Sequence, residues 1–234
     1  MKVVILAGGR GTRISEDGKS MPKPLVKIGN KPILFHLMNI YAKQGFNDFI
    51  IAGGYKFSHL SKYFNSKSFP KEWKINLVNT KVKSMTGGRI LLLKKYIKNS
   101  SFFCTYGDGI ADIDLAKLVK LHNKFKKIAT ITAVRPPARF GEILIKNNLA
   151  HKFKEKPQTN SSWINGGFFI FTPKIFDFIK NAKVVLEAEP LENIAKKKQL
   201  VVYKHYKEWH CMDTPRDRDL LNKLYKNKKL NWVK

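Results

Sequence analysis

The sequence predicts an α/β fold in which helices flank a mostly parallel, twisted sheet. Short apolar runs rich in β-branched or aromatic residues alternate along the chain with segments whose apolar residues recur at helical spacing, which is the pattern of parallel strands joined by helices. The 234 residues fall within the size of one large domain, and they contain neither an internal repeat nor a long linker. We therefore expect a single domain over residues 1–234.

The first half of the chain carries most of the predicted parallel strands. A strand over 3–7 is followed by a helix that begins at Pro32 and ends near Gly45, and then by a strand over 48–52. Further strands are expected over 75–79, 102–106 and 128–134. The apolar faces expected to pack on the sheet are Leu34, Leu37, Met38 and Tyr41 on the first helix, and Leu115, Leu118, Val119, His122 and Phe125 on a later helix whose positive end carries Asp112 and Asp114.

The second half predicts a smaller antiparallel part. Residues 142–153 have the pattern of a hairpin that turns at Asn147 and Asn148, and 165–171 form another strand. We expect these strands to form a small antiparallel substrate lobe beside the main sheet. Pro215 begins the final helix, whose apolar residues are Leu220, Leu221 and Leu224.

The charge does not by itself identify a partner. Lys and Arg number 45 against 17 Asp and Glu, a formal net charge of +28, which would attract nucleic acid or an anionic membrane. Only seven of these cations are arginines, however, and the lysines are spread from Lys2 to Lys234. They are accompanied by no zinc-finger spacing, RNA-binding aromatic signature or disordered basic tail. We therefore expect no specific nucleic acid partner.

Cysteine usage and hydropathy predict a cytoplasmic protein. Cys104 and Cys211 match neither a metal-binding spacing nor a disulfide framework, so we expect reduced thiols. The apolar N-terminal run is broken by Gly8, Gly9 and Arg10 too early for a signal sequence, and no run of about 18 apolar residues suggests a membrane span. No membrane partner is expected.

The stretch VVILAGGRGTR, residues 3–13, leads from the first strand into a glycine-rich turn. Glycine lets a ligand approach the backbone, whose amides then act as anion-binding donors, so the turn predicts a phosphate site. It is not the dinucleotide fingerprint, which would need a third glycine at Ile14, nor an ATPase loop, which would close with Gly-Lys-Ser/Thr. Another phosphate chemistry is indicated.

Lys23 and Asp108 are the first charged candidates. Pro22 and Pro24 fix the backbone on either side of Lys23, which either neutralises a phosphate or lies in a surface turn. Asp108 follows a predicted strand and stands between two glycines, at the carboxyl edge where open α/β sheets bind ligands. A carboxylate with that much room can bind a hydrated Mg²⁺ and its phosphate.

A magnesium ion usually takes one or two carboxylates, so a second acid is expected to converge on Asp108. Asp213, in WHCMDTPRD, ends a predicted strand just before the Pro215 helix. It either binds the metal or caps that helix, and the sequence leaves both open. Lys156, in FKEKPQ, is a further candidate cation, held extended by the proline that follows it.

Several motifs, in this order, resemble those of the sugar-1-phosphate nucleotidylyltransferases. They are Gly-Gly-x-Gly-Thr-Arg after the first strand, Lys-Pro about ten residues later, Gly-Asp-Gly in mid-chain and Glu-Lys-Pro beyond it. The stretches GNKPILFHLMNIY, GYK, SMTGGR, TYGDGIADID, RFGEI, FKEKP, WINGGFF, EAEPL and MDTPRD narrow the resemblance to the cytidylyltransferases of this family, over nearly the whole chain. The chain departs from the family pattern between Tyr55 and Thr80, where it is shorter, which bears on the nucleotide pocket and on subunit contacts.

The resemblance implies a Rossmann-like fold of the nucleotide-diphospho-sugar transferase type, with a nucleotide-binding half over residues 1–135 and a sugar-phosphate-binding half over residues 136–234. It implies attack of an oxygen of α-D-glucose 1-phosphate on the α-phosphorus of CTP, giving CDP-glucose and pyrophosphate without a covalent enzyme intermediate. Fixed cations and amides then matter more than a general base, because two polyanions must be held in line. A homo-oligomer is also implied.

The site residues implied by the resemblance fall into three groups. Those expected at the nucleotide are Leu6, Ala7, Gly8, Gly9, Arg10, Gly11, Thr12, Arg13, Lys23, Ser84, Arg89 and Gly107. Those expected at the sugar phosphate are Gly141, Glu155, Lys156, Asn165 and Gly166. Asp108 and Asp213 would hold Mg²⁺, and the catalytic residues would be Arg13, Lys23 and Asp108.

Base choice is assigned to Ser84 and Arg89. An arginine donates to O2 and N3 of cytosine, whereas the N3–H of uracil opposes it. Arg89 either reads the base in this way or caps or pairs within the helix that it begins. The alternative functions are an enzyme that uses UTP, dTTP or another sugar 1-phosphate, and a non-catalytic nucleotide-sugar-binding protein.

Overall fold

The computed structural model describes residues 1–11, 21–97, 99–136, 142–154 and 163–230. The strands are β1 Lys2–Ala7, β2 Lys27–Ile28, β3 Lys31–Pro32, β4 Asp48–Gly53, β5 Lys74–Asn79, β6 Phe102–Tyr106, β7 Gly109–Ala111, β8 Ala129–Val134, β9 Glu142–Lys146, β10 Leu149–Lys154, β11 Ile164–Phe171, β12 Leu200–Lys204 and β13 Trp209–Cys211. The α-helices are α1 Ile33–Ala42, α2 Phe57–Ser66, α3 Thr86–Leu92, α4 Lys94–Ile97, α5 Leu115–Phe125, α6 Glu189–Lys196 and α7 Pro215–Lys226. Short 3₁₀ segments cover Lys23–Leu25 and Pro173–Phe178.

Seven strands form one sheet in the order β12, β8, β11, β6, β1, β4, β5. β1 is parallel to β4 and β6, β4 to β5, and β12 to β8, whereas β11 is antiparallel to both of its neighbours. Six of the seven strands therefore share one direction, and the predicted mostly parallel sheet is confirmed. The carboxyl ends of β6, β1, β4 and β5 lie side by side at one edge, which is where open α/β sheets bind ligands.

Alternation along β1 supplies core residues to both faces of the sheet. Val3 and Ile5 belong to a buried cluster that includes the α1 side chains, whereas Val4 and Leu6 belong to a second cluster with Ile90 of α3. The predicted face of α1 is fully buried, with no exposure of Leu34, Leu37, Met38 or Tyr41. Helices therefore cover both faces, as a sheet with apolar side chains on each side requires.

The hairpin β9–β10 turns where the sequence predicts. Asn147 and Asn148 have φ of 49° and 60°, the left-handed conformation of a two-residue type I′ turn. The strand β11 departs from expectation, because it lies in the large sheet between β8 and β6 and not in a separate lobe with the hairpin. Residues 168–171 of β11 are buried with 0% exposure on both faces, which suits a central strand. The separate antiparallel sheets have two strands each: β9 with β10, β7 with β13, and β2 with β3.

Two helical faces are narrower than their periodicity predicts. Phe125 and Leu220 are 48% and 47% exposed, although both were expected to face the core. Phe125 is the last residue of α5, and α7 buries only Leu221 completely. The periodicity does not predict α2, α4, α6 or β12.

Among the helices that the structure describes, none combines the length and the apolar character needed to cross a membrane.

Buried histidines predict a loss of stability in mild acid. Burial lowers the pKa of His36, His122, His205 and His210 below the ordinary value. The unfolded chain therefore binds more protons than the folded protein once the pH falls below about 6.5, and the free energy of unfolding decreases from there downwards. Thermal scans from about pH 8 to pH 5 should show a constant Tm at first and then a falling one.

Single substitutions test whether these histidines cause the loss. His122→Asn should flatten the acid limb, because His122 is buried against Thr130. His59→Asn, at an exposed histidine, should leave the limb unchanged. A Tm that stays constant down to pH 5 would contradict the prediction.

Candidate active site

The glycine-rich turn follows β1 at the carboxyl edge of the sheet. The backbone N of Gly107, just after β6, donates to the Leu6 carbonyl at 3.1 Å and ties the two strand ends together. Gly11 has φ of 59°, in the left-handed region, and a Cβ there would lie 2.8 Å from the Cβ of Lys23. Glycine is therefore required at position 11 both by backbone conformation and by close approach to Lys23.

The ammonium group of Lys23 joins two carboxylates. Its Nζ lies 2.5 Å from Oδ2 of Asp108 and 2.5 Å from Oδ1 of Asp213. Only 10% of the Lys23 side chain is exposed, so Lys23 does not lie in an open surface turn. Burial lowers the pKa of Lys23, but the two carboxylates outweigh burial and the pKa is raised overall. Lys23 is therefore a cation at neutral pH.

A short antiparallel pair brings the two carboxylates together. β7 pairs with β13 so that Gly109 faces Cys211, and the backbone N of Met212 donates to the Asp108 carbonyl at 3.0 Å. Asp108 immediately precedes β7, and Asp213 follows β13. The pairing therefore sets side by side two acids that are far apart along the chain.

Thr214, and not Asp213, caps α7. The Thr214 hydroxyl accepts from the backbone N of Asp217, and the Asp217 carboxylate accepts from the backbone N of Thr214 at 2.8 Å, which completes a capping box. The carboxylate of Asp213 is directed to Lys23 instead. Of the two interpretations of Asp213, the helix cap is wrong, and metal binding stays a prediction.

The same cluster has the donor atoms for a divalent cation. Asp108, Cys211 and Asp213 each offer one ligand atom, and these atoms lie within 4.8 Å of one another. Burial, with the nearby carboxylates, raises the pKa of Cys211 to about 12, so the sulfur is a protonated thiol at neutral pH. The Lys23 ammonium already marks a cation position between them. Paired carboxylates around such a position fit a hard ion of the Mg²⁺ type.

Arg89 and Ser84 are both buried, at 5% and 6% exposure. Every hydrogen bond found for the Arg89 guanidinium in the described part of the chain goes to a residue outside α3, so Arg89 does not pair within its own helix. Its Nη2 donates to the Gly8 carbonyl at 2.8 Å. A Cβ on Gly8 would overlap the guanidinium, so this glycine accommodates Arg89 directly below the turn.

A second network, which sequence reasoning missed, joins the SMTGGR segment to β11. Thr86 Oγ1 donates to Glu187 Oε2 at 2.6 Å, and the Tyr106 hydroxyl donates to the other oxygen of Glu187. Asn165 Nδ2 donates to the Tyr106 hydroxyl at 3.1 Å. Glu187 and Tyr106 lie in the motifs EAEPL and TYGDGIADID, but no spacing in the sequence indicates that they meet.

The remaining predicted residues are distributed unevenly. Leu6, Ala7 and Gly107 are buried at the strand ends, whereas Gly9 and Arg10 are exposed in the turn. Gly166 packs on β8, because a Cβ there would lie 2.7 Å from Cγ1 of Val134. Outside the described residues lie Thr12, Arg13, Gly141, Glu155 and Lys156.

The fold is shared with two solved structures. HddC from Yersinia pseudotuberculosis, solved with GMP-PN, superposes with a TM-score of 0.76 at 26% identity, covering 96% of this chain and 99% of that chain. A putative glucose-1-phosphate thymidylyltransferase from Bacillus anthracis superposes with a TM-score of 0.76 at 21% identity, covering 96% and 94%. The protein is therefore an α/β protein of this fold.

Residues 2–218 match the model of the nucleotidyl transferase family, and the chain belongs to that family. It is 40% identical to the glucose-1-phosphate cytidylyltransferase of Salmonella typhimurium over 253 residues, covering 99% of this chain and 98% of that protein. It is also 40% identical to a probable glucose-1-phosphate cytidylyltransferase of Bacillus subtilis over 252 residues, covering 99% of both. Both alignments are longer than the 234 residues of this chain, so these relatives hold residues that it lacks.

Replacing Lys23 with methionine is expected to destabilise the protein and to strengthen its binding of Mg²⁺. Asp108 and Asp213 would face each other without a cation, at a cost of about 3 kcal/mol in the free energy of unfolding. Mg²⁺ would then bind without displacing the ammonium, so it should raise the Tm of Lys23→Met more than that of the wild type. Thermal scans with and without MgCl₂ measure both effects.

Lys27→Met is the matched control, because Lys27 is an exposed lysine close by in the chain. It should leave both the Tm and the response to Mg²⁺ at wild-type values. Equal responses to Mg²⁺ in Lys23→Met and Lys27→Met would show that the ammonium and the metal do not share a position.

Proposed function

We propose that the protein transfers a cytidylyl group from CTP to α-D-glucose 1-phosphate, giving CDP-glucose and pyrophosphate. The observation that carries the proposal is the Lys23 ammonium held between Asp108 and Asp213, beside the glycine-rich turn at the carboxyl edge of the sheet. Identity of 40% over nearly the full length of two glucose-1-phosphate cytidylyltransferases supports the choice of both substrates.

In the proposed reaction the chain supplies fixed charges around two polyanions. Amides of residues 8–12 cradle the triphosphate, and Arg13 holds the departing pyrophosphate with its planar fork. Asp108 and Asp213 hold Mg²⁺, whose chemistry when bound is to neutralise charge on the triphosphate. Lys23 then exchanges its carboxylate partners for an oxygen of the reacting phosphate and stabilises the negative charge that develops there.

The sugar phosphate is assigned to the second half of the chain. Lys156 binds its phosphate, and Gly141, Glu155, Asn165 and Gly166 surround the sugar ring. The position of Asn165 supports this assignment, because its amide contacts Tyr106, two residues before Asp108 in the chain. Base selection is assigned to Ser84 and Arg89, and the hydrogen bond from Arg89 to the Gly8 carbonyl supports a position of this segment beside the glycine-rich turn.

A different base or sugar is the alternative within the family. The mannose-1-phosphate guanylyltransferase catalytic subunit beta of Xenopus tropicalis is 32% identical over 93% of this chain and 62% of that protein, and its name gives another base and another sugar. We also propose that the protein is cytoplasmic and forms a homo-oligomer. The exposed apolar side chains of the β9–β10 hairpin, Ile143, Ile145, Leu149 and Phe153, support an assembly.

A pyrophosphate-release screen tests the substrates directly. Each nucleoside triphosphate is paired with each of a panel of sugar 1-phosphates in the presence of Mg²⁺. CTP with α-D-glucose 1-phosphate should give the highest kcat/KM, because the relatives that are 40% identical over nearly the whole chain are named for these two substrates. A preference for UTP, dTTP or GTP would reject the CTP assignment, and release with none of them would favour a non-catalytic binding protein.

Substitutions of Lys23 and Lys156 are expected to change different kinetic parameters. Lys23→Ala should lower kcat strongly, because charge develops only at the transferred phosphate. Lys156→Ala should mainly raise the KM for the sugar phosphate, by about 10-fold for about 1.4 kcal/mol of lost binding. Steady-state kinetics with each substrate varied in turn distinguish these effects. If Lys156→Ala raises only the KM for CTP, the assignment of Lys156 to the sugar phosphate is wrong.

A further inference from the structure

One guanidinium links the ends of three parallel strands. The Arg89 Nη2 donates to the carbonyl of Gly8, which follows β1, at 2.8 Å. Its Nη1 donates to the carbonyl of Gly53, the last residue of β4, at 3.3 Å and to that of Lys81, beyond β5, at 2.9 Å. All the acceptors found for the Arg89 guanidinium among the described residues are uncharged oxygens. The position of the guanidinium is therefore set by the directions and lengths of these hydrogen bonds.

Thr80 provides the shortest of these contacts. Its Oγ1 accepts from Arg89 Nη1 at 2.6 Å and donates to the Gly53 carbonyl at 2.6 Å. A hydroxyl has one proton to donate, and because that proton goes to Gly53, a lone pair is directed at Arg89. Thr80 has 0% exposure, so water does not compete for either bond.

The backbone around the guanidinium is shaped to admit it. A Cβ on Gly8 or on Gly54 would overlap the Arg89 side chain. Glycines therefore leave a slot on two sides, and Thr80 fixes how far the guanidinium enters this slot. A shift of the guanidinium would move its contact with the Gly8 carbonyl and hence the start of the glycine-rich turn.

We propose that Thr80 is a positioning residue of the nucleotide site, which acts by fixing the Arg89 guanidinium and, through it, the Gly8 end of the glycine-rich turn. This inference rests on the proposed function, because it takes that turn to hold the triphosphate. It adds a residue without an exposed atom to the determinants of nucleotide affinity.

The test replaces the hydroxyl and keeps the shape. Thr80→Val should raise the KM for CTP, and its Kd measured by calorimetry, by about tenfold, with kcat and the KM for the sugar phosphate within about threefold of the wild type. Thr80→Ser, which keeps the hydroxyl, should restore the KM to within about twofold. These shifts separate positioning from folding, because a loss of stability alone leaves the KM unchanged.

Thr130→Val is the matched control. Thr130 is also fully buried, and its hydroxyl pairs with His122 Nδ1 at 2.8 Å, on the strand β8 away from the turn. This variant should lose stability as Thr80→Val does and keep the wild-type KM for CTP. A Thr80→Val protein that behaves like Thr130→Val would overturn the proposal.

A double-mutant cycle tests the route through Arg89. In an Arg89→Lys background, Thr80→Val should have little further effect on the KM for CTP, whereas additive effects would contradict positioning through Arg89. If the valine variant does not fold, Thr80→Ala takes its place in the same cycle.

A wild type that prefers another nucleotide rejects only the CTP assignment, and the cycle is then run with that nucleotide. A wild type that binds no nucleoside triphosphate in calorimetry rejects both proposals.

Discussion

The ion pair of Lys23 with Asp108 and Asp213 is the contact on which the candidate site depends. Lys23 lies 190 positions before Asp213 in the chain, and the two meet because β7 and β13 pair next to the 3₁₀ segment that carries the lysine. Two carboxylates that each lie 2.5 Å from the same nitrogen are close enough to repel each other unless a cation lies between them. The ammonium supplies that charge in the protein alone, and a bound divalent ion supplies it in the proposed catalytic complex.

Phosphate binding is not the only reason for glycine in these motifs, because several glycines also make room for a side chain or a backbone segment that packs against them. Gly8 admits the Arg89 guanidinium, which donates to its carbonyl, and Gly11 admits the aliphatic part of the Lys23 side chain. Gly88 serves a different contact, since a Cβ there would overlap the carbonyl of Ala182. The motif SMTGGR is therefore in part a packing surface, which lets α3 approach the segment before α6.

The halves assigned to nucleotide and sugar phosphate are connected by hydrogen bonds at the same edge of the sheet. Glu187 accepts from Thr86 and from Tyr106, and Tyr106 accepts from Asn165. Burial, reinforced by Glu187, raises the pKa of Tyr106, so the phenol stays protonated and remains a donor. The strand β11 lies between β8 and β6, so the second half of the chain contributes to the same sheet. The hydrogen bonds through Tyr106 and Glu187 connect the two halves further.

The sequence by itself determined the order and kind of the principal elements. The buried face of α1, the Asn147-Asn148 turn and the strands of the sheet's first half follow from periodicity and turn chemistry, which act between neighbours in the chain. It also identified the charged candidates of the site, Lys23 between two prolines and Asp108 and Asp213 after predicted strands. Only the tertiary structure decided that β11 enters the large sheet, that Thr214 caps α7 in place of Asp213, and that Thr80 contacts Arg89. These outcomes depend on contacts between residues distant in sequence, which local periodicity and spacing do not encode.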